Sequence, residues 1–161
     1  MVAPASGHRG QAEYQRQRSV QTLAEGLNEY YAVNEGIISR PSDLPPESAA
    51  LFRSHDLCHV IFGLSTSMGD EAMADARTML SCDVGLARYV AYLRTDAQAK
   101  ALFAKIGIWN SVWITVAALP RIVRAVFEMR HVRRRWPWNP PADHLSRRLA
   151  ELRDEYGIRV I

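Results

Sequence analysis

The stretch Pro45-Pro46-Glu47-Ser48-Ala49-Ala50-Leu51-Phe52-Arg53-Ser54-His55-Asp56-Leu57-Cys58-His59-Val60-Ile61-Phe62-Gly63 reads as one helix with both ends marked. Proline stands at the start, where no intrahelical N–H is needed, and Gly63 is a natural stop. His55 and His59 are four residues apart, so on a helix they lie one turn above each other, separated by roughly 40° around the axis. Asp56 precedes His59 by three and borders the same face. After a turn between Gly63 and Gly69, Glu71 follows His59 with eleven residues between them. Neutral imidazoles suit zinc, iron, copper or nickel, and carboxylates neutralise and orient a dication. His55, Asp56, His59 and Glu71 are therefore candidate metal ligands, and the two acids together would cancel a 2+ charge. No cysteine cage accompanies them, which points to a site with open positions rather than a closed structural zinc. The plainer alternative is a hydrogen-bonded histidine pair with Asp–His ion pairing.

At 161 residues the chain is long enough for one domain with a real core. Residues 1–10 are expected to be a loose tail and 11–161 a single all-α domain. Between residues 120 and 148, eight arginines face only Glu128 and Asp143, so the remainder is net acidic. Cys58 and Cys82 are the only cysteines. Together with the lack of an apolar leader segment, they point to a reducing compartment without disulfides. Cys58 is expected to be a small buried residue rather than a ligand.

Apolar residues at helical spacing predict a first helix over about 11–34, in which Tyr30 and Tyr31 pack the core. A helix is predicted from Asp70 and Glu71 to about Arg94. On it Asp75 reads as a surface acid pairing with Arg77 or Arg88, with a ligand-orienting role as the alternative. Thr95-Asp96-Ala97-Gln98 has the form of a capping box opening a helix towards Leu119. The run from Ile106 to Leu119 is nearly all apolar but shorter than the roughly 20 residues of a membrane span. It predicts a buried central helix, or the wall of a lipid tunnel, with Trp109 and Trp113 filling the core. Pro120 is expected to restart the chain. Beyond it, Arg121, Arg124, Arg130, Arg133, Arg134 and Arg135, with apolar neighbours and Trp136 and Trp138, suit an anionic membrane surface. The alternative is a solvated basic face with the tryptophans covering the core, and no recognition motif supports a nucleic-acid partner. A last helix carries Leu145, Leu149, Leu152 and Tyr156 on one stripe and closes at Gly157. No alternating strand pattern, repeat or phosphate-binding glycine loop is present. The expectation is an all-α fold of about six helices with a metal site at the His55–Glu71 motif.

His55-Asp56-x-x-His59, eleven residues, then Glu71, resembles the signature of the coenzyme Q (ubiquinone) biosynthesis protein 4 family. The run His59-Val60-Ile61-Phe62-Gly63, the glycine at 69 and the closing segment Leu152 to Ile158 are similar to that family too. Phe62 stands where the family often has a smaller residue, and Asp70 separates Gly69 from Glu71, which usually adjoin.

The resemblance implies a role in ubiquinone biosynthesis. A zinc or iron ion, held by His55, Asp56, His59 and Glu71, would act at the ring carbon of a polyprenylated hydroxybenzoate-type precursor, in oxidative decarboxylation with hydroxylation. The alternative it supports is a non-catalytic lipid-binding scaffold that organises other ubiquinone-biosynthesis enzymes. Expected partners are the polyprenylated aromatic precursor, those enzymes, an anionic membrane surface and further copies of the chain. The expected location is cytoplasmic and peripherally membrane-associated in a bacterium, or the matrix side of the inner membrane in a mitochondrion. A His-Asp phosphohydrolase is a third reading, but it requires a further upstream histidine, and only His8 lies upstream.

Overall fold

Helix α2, Pro46–Phe62, packs against the first, third and last helices and the 3-10 turns at Glu13–Gln15 and Pro41–Asp43. The computed structural model describes residues 11–36, 40–95, 100, 104 and 107–160. Among these it has six α-helices and no strand: α1 Leu23–Val33, α2, α3 Met68–Ser81, α4 Leu86–Thr95, α5 Ile108–Glu128 and α6 Leu149–Tyr156. Short 3-10 turns lie at Glu13–Gln15, Pro41–Asp43, Met129–His131 and Ala142–Ser146. The all-α class expected from the periodicities is the class observed. The proposed tail at 1–10 and the capping box at 95–98 fall on or run into residues outside those described.

Both marked ends of α2 hold. Pro46 occupies the first turn, and Gly63 caps the helix in the left-handed conformation at φ 70°, its N–H donating to Val60 O. A side chain at Gly63 would be strained at that φ and would meet the methyls of Val160. The last-turn carbonyls of α2 have a second partner. Arg153, wholly buried on α6, donates Nε–H to Ile61 O and its Nη2 hydrogens to Val60 O and Tyr14 O. Burial lowers its pKa to about 10, and these carbonyls are what make a buried guanidinium tolerable. Leu57, Cys58, Val60, Ile61 and Phe62 of α2 form the centre of a core shared with Leu23, Leu27, Leu149 and Leu152.

The predicted first helix is shorter than the periodicity suggested. Thr22 caps α1 by accepting from Glu25 N–H, and Glu25 returns the bond to Thr22 N–H, so the helix begins there. The preceding segment folds back, with the N–H groups of Glu13 and Tyr14 donating to the Glu29 carboxylate.

The single helix predicted from 70 to 94 is two helices. Cys82 leaves the helical path to bridge Trp136, whose N–H donates to Ser81 O and whose carbonyl accepts from Asp83 N–H. Asp83 then takes the Trp138 N–H at 2.7 Å. A distant loop thus supplies the bonds that helix continuation would have made.

The largest departure is α5. It continues through Pro120 instead of restarting there. Trp109 and Trp113, expected in the core, are 77% and 70% exposed. Val112, Val116, Leu119, Val123, Val126 and Phe127 also stand in solvent. The helix is not a buried centre: it packs on α3, where Ala125 is buried, and leaves the apolar side chains just named exposed. Trp136 and Trp138, expected at a membrane interface, are instead buried, Trp136 against Tyr156 and Trp138 against Tyr89. No helix among the described residues is long and apolar enough to cross a membrane. The stripe predicted for the last helix is divided: Leu145 lies in the 3-10 turn, whereas Leu149, Leu152 and Tyr156 are buried on α6, which ends at Gly157 as expected.

Candidate metal site

The helical spacing of α2 brings the imidazoles of His55 and His59 together, ring centres 4.8 Å apart and nearly perpendicular. Glu71 is brought to them by the loop after Gly63. There Asp70 is fully engaged: its Oδ2 accepts from the N–H and hydroxyl of Ser65, and its Oδ1 pairs with Arg121 of α5 at 3.0 Å. Ser67 caps α3 by accepting from Asp70 N–H. Gly69 leaves room for the Arg121 guanidinium, which a Cβ would meet at 2.6 Å. With Asp70 tied to the loop, Glu71 turns inward, its Oε2 3.3 Å from His59 Nε2.

One donor atom from each of His55, His59 and Glu71 lies within 4.8 Å of the others, a grouping that could hold a metal ion. His59 is 0% exposed, and neither of its ring nitrogens has a hydrogen-bond partner. The 3.3 Å approach to Glu71 lacks hydrogen-bond alignment. An orphaned buried imidazole carries a desolvation cost that a cation would remove, so the residues fit a metal.

Asp56 is placed differently. Its carboxylate accepts from the Tyr31 hydroxyl at 2.8 Å, and it is not part of the converging trio. Tyr30 stacks on His59 at 5.3 Å. The two tyrosines are thus buried, as expected, and also frame the histidines from α1. Cys58 and Cys82 are free, buried thiols with sulfurs 3.7 Å apart.

Asp75 is not the plain surface acid that its sequence context suggested. Its Oδ1 lies 3.5 Å from His55 Nε2 and accepts from the Tyr89 hydroxyl at 2.6 Å, and the side chain is 34% exposed. The signal was its spacing of four from Glu71, which mirrors the spacing of the histidines.

The electrostatics are mutual. Burial pulls the His55 pKa down, but the Asp75 contact and the charges of Asp75, Glu71 and Asp56 outweigh it and raise it to about 9. Burial pushes Glu71 up, yet the two imidazoles bring it below its ordinary value. Asp75 is likewise lowered against burial, by His55 and Tyr89. Asp56 goes the other way: burial raises it more than His55, Tyr31 and His59 lower it. Two imidazoles and one carboxylate converging from two helices can bind a dication and leave it positions for an outside molecule.

No protein-family model matches the chain, and neither does any curated protein or solved structure at a significant level. Fold and site together define an all-α chain with a His–His–Glu cluster able to hold a metal ion.

Proposed function

We propose that the chain is a metal-dependent ubiquinone-biosynthesis protein acting on the ring carbon of a polyprenylated hydroxybenzoate-type precursor. The observation that carries this reading is the convergence of His55, His59 and Glu71, at the spacing that resembles the coenzyme Q biosynthesis protein 4 signature. The overall change replaces a ring carboxylate, lost as carbon dioxide, by a hydroxyl. It is a two-electron oxidation and needs dioxygen or another external oxidant. When bound, zinc or iron supplies Lewis acidity towards a substrate carboxylate or phenolate. His55, His59 and Glu71 would hold it. Tyr30, stacked on His59, fixes that ring and keeps water from its buried side. The Tyr31 hydroxyl holds the Asp56 carboxylate in place beside the motif.

A second reading, a non-catalytic lipid-binding scaffold for the other enzymes of the pathway, is favoured by α5. Trp109, Trp113 and Phe127 form an exposed apolar face flanked by Arg121 and Arg124. That combination suits docking on an anionic membrane surface, where a prenylated substrate resides. The two readings part in cells lacking the native protein. Under the catalytic reading, Glu71→Gln, expressed and folded as the parent, fails to restore ubiquinone and a ring-carboxylated prenyl intermediate accumulates. Full rescue by both Glu71→Gln and His59→Ala would leave the scaffold.

A further inference from the structure

α2 carries two imidazoles one turn apart, and α3 faces it with two carboxylates one turn apart. The pairs meet in register: His59 Nε2 with Glu71 Oε2 at 3.3 Å, and His55 Nε2 with Asp75 Oδ1 at 3.5 Å. Both separations exceed the usual 2.7–3.2 Å of an N–H···O hydrogen bond. They match the distance between two ligands of one four-coordinate ion, about 3.4 Å for metal–ligand bonds of about 2.0–2.1 Å. Asp56, the acid that the motif would nominate, is not among the converging donors, and its Oδ2 accepts from Tyr31. Asp75 has its own support in the Tyr89 hydroxyl. Tyr89 is itself buried and packed edge-on against Trp138, so the carboxylate is held from behind by a rigid group.

We propose that Asp75 is the fourth protein ligand of the metal site, completing a His55–His59–Glu71–Asp75 set from two facing helices, and that Asp56 is not a ligand. This rests on the metal reading above. The charge balance is unchanged, because Asp75 replaces Asp56 as the second anion. Tyr89 is the positioning residue that aims Asp75 at the ion. Asp75 lies outside the converging trio and would reach a shared ion by rotation of its side chain, its Oδ1 already standing 3.5 Å from His55 Nε2.

The test uses the full chain and Co²⁺ as the probe, with Zn²⁺ measured by competition against a chromogenic chelator. Asp75→Asn is expected to weaken Co²⁺ binding by about 100-fold, comparable to Glu71→Gln, and to alter the visible d–d bands, whereas Asp56→Asn changes affinity less than tenfold and leaves the bands intact. An Asp75→Asn variant with parental affinity and spectrum overturns the assignment, as does an Asp56→Asn variant that loses the ion. A parental chain that binds neither Co²⁺ nor Zn²⁺ overturns the metal reading itself, which is a separate result. Should Asp75→Asn not fold, carboxyl ¹³C resonances of the unmodified chain decide the matter. On adding Zn²⁺, those of Glu71 and Asp75 shift and that of Asp56 stays. The reverse pattern overturns the proposal.

Discussion

The hydroxyl of Tyr31 on α1 donates to Oδ2 of Asp56 on α2 at 2.8 Å, which ties the acid between the two histidines to a neighbouring helix. Both residues are buried, and the bond is charge-assisted when Asp56 is ionised. Tyr31→Phe leaves a buried carboxylate without its donor and is expected to cost about 1–3 kcal/mol in chemical denaturation. In a double-mutant cycle with Asp56→Asn, the pair should show a coupling of about 1 kcal/mol or more. Additive effects would mean that the two do not interact in solution.

Metal-free chain and metal-bound chain should respond to pH in opposite senses. The folded-state pKa of His55 is raised from 6.5 to about 9. Its protonated form therefore stabilises the metal-free fold fully below 6.5, and that contribution, at most about 3 kcal/mol, is lost as pH rises through about 9. Glu71 and Asp75 are lowered, so their contribution is lost at the acid end, as pH falls through the carboxylate range. Denaturation midpoints of metal-free protein should fall between pH 6.5 and 9, and His55→Gln should flatten that slope. Zn²⁺ affinity should climb over the same interval, because the ion displaces the imidazole proton.

Arg153 has no exposed surface and serves carbonyls of α2 and of the N-terminal segment. Arg153→Met keeps the bulk of the side chain but orphans those carbonyls, so it should destabilise the chain by about 3 kcal/mol or more. Hydrogen exchange should report the damage first at the last turn of α2 and around Tyr14. A loss below about 1 kcal/mol would show that water can replace the guanidinium.

The exposed face of α5 gives a surface prediction. Trp109→Ser with Trp113→Ser should leave the melting temperature within a few degrees, since neither side chain packs in the core. The same change should weaken binding to vesicles rich in anionic lipid by tenfold or more, and added salt should weaken the parental chain through its arginines. If the variant instead turns an oligomer into a monomer and vesicle binding is unaltered, the face belongs to a second copy of the chain.

What could be read in the sequence was what neighbouring residues decide among themselves. Pro46 and Gly63 delimit α2, the spacing of His55 and His59 sets them on one face, and Gly157 ends α6, all by local rules. The convergence of Glu71 with the histidines was legible because the loop between them is short and turn-forming. The misreadings were tertiary. Nothing near Ser81 announces that Trp136, far along the chain, takes its carbonyl and divides α3 from α4. Trp109 and Trp113, expected inside, are exposed, and of the two readings of Trp136 and Trp138 the core-covering one is observed, because hydrophobicity does not say which apolar surface finds a partner within the chain. The contact of Asp75 with His55 was equally out of reach of local reading, since it depends on how α2 and α3 face each other.

The reach of Arg153 back to Ile61 spans 92 positions. The helix that carries both histidines is therefore finished by a residue synthesised well after it. As a nascent chain leaves the ribosome, α2 can coil and be capped by Gly63 early, but Ile61 O gains its Arg153 partner only once α6 has emerged and docked. Completion of the helix that carries His55 and His59 therefore follows its own synthesis by a long interval, and a chain halted before Arg153 would carry the histidines on a helix whose last turn lacks this partner.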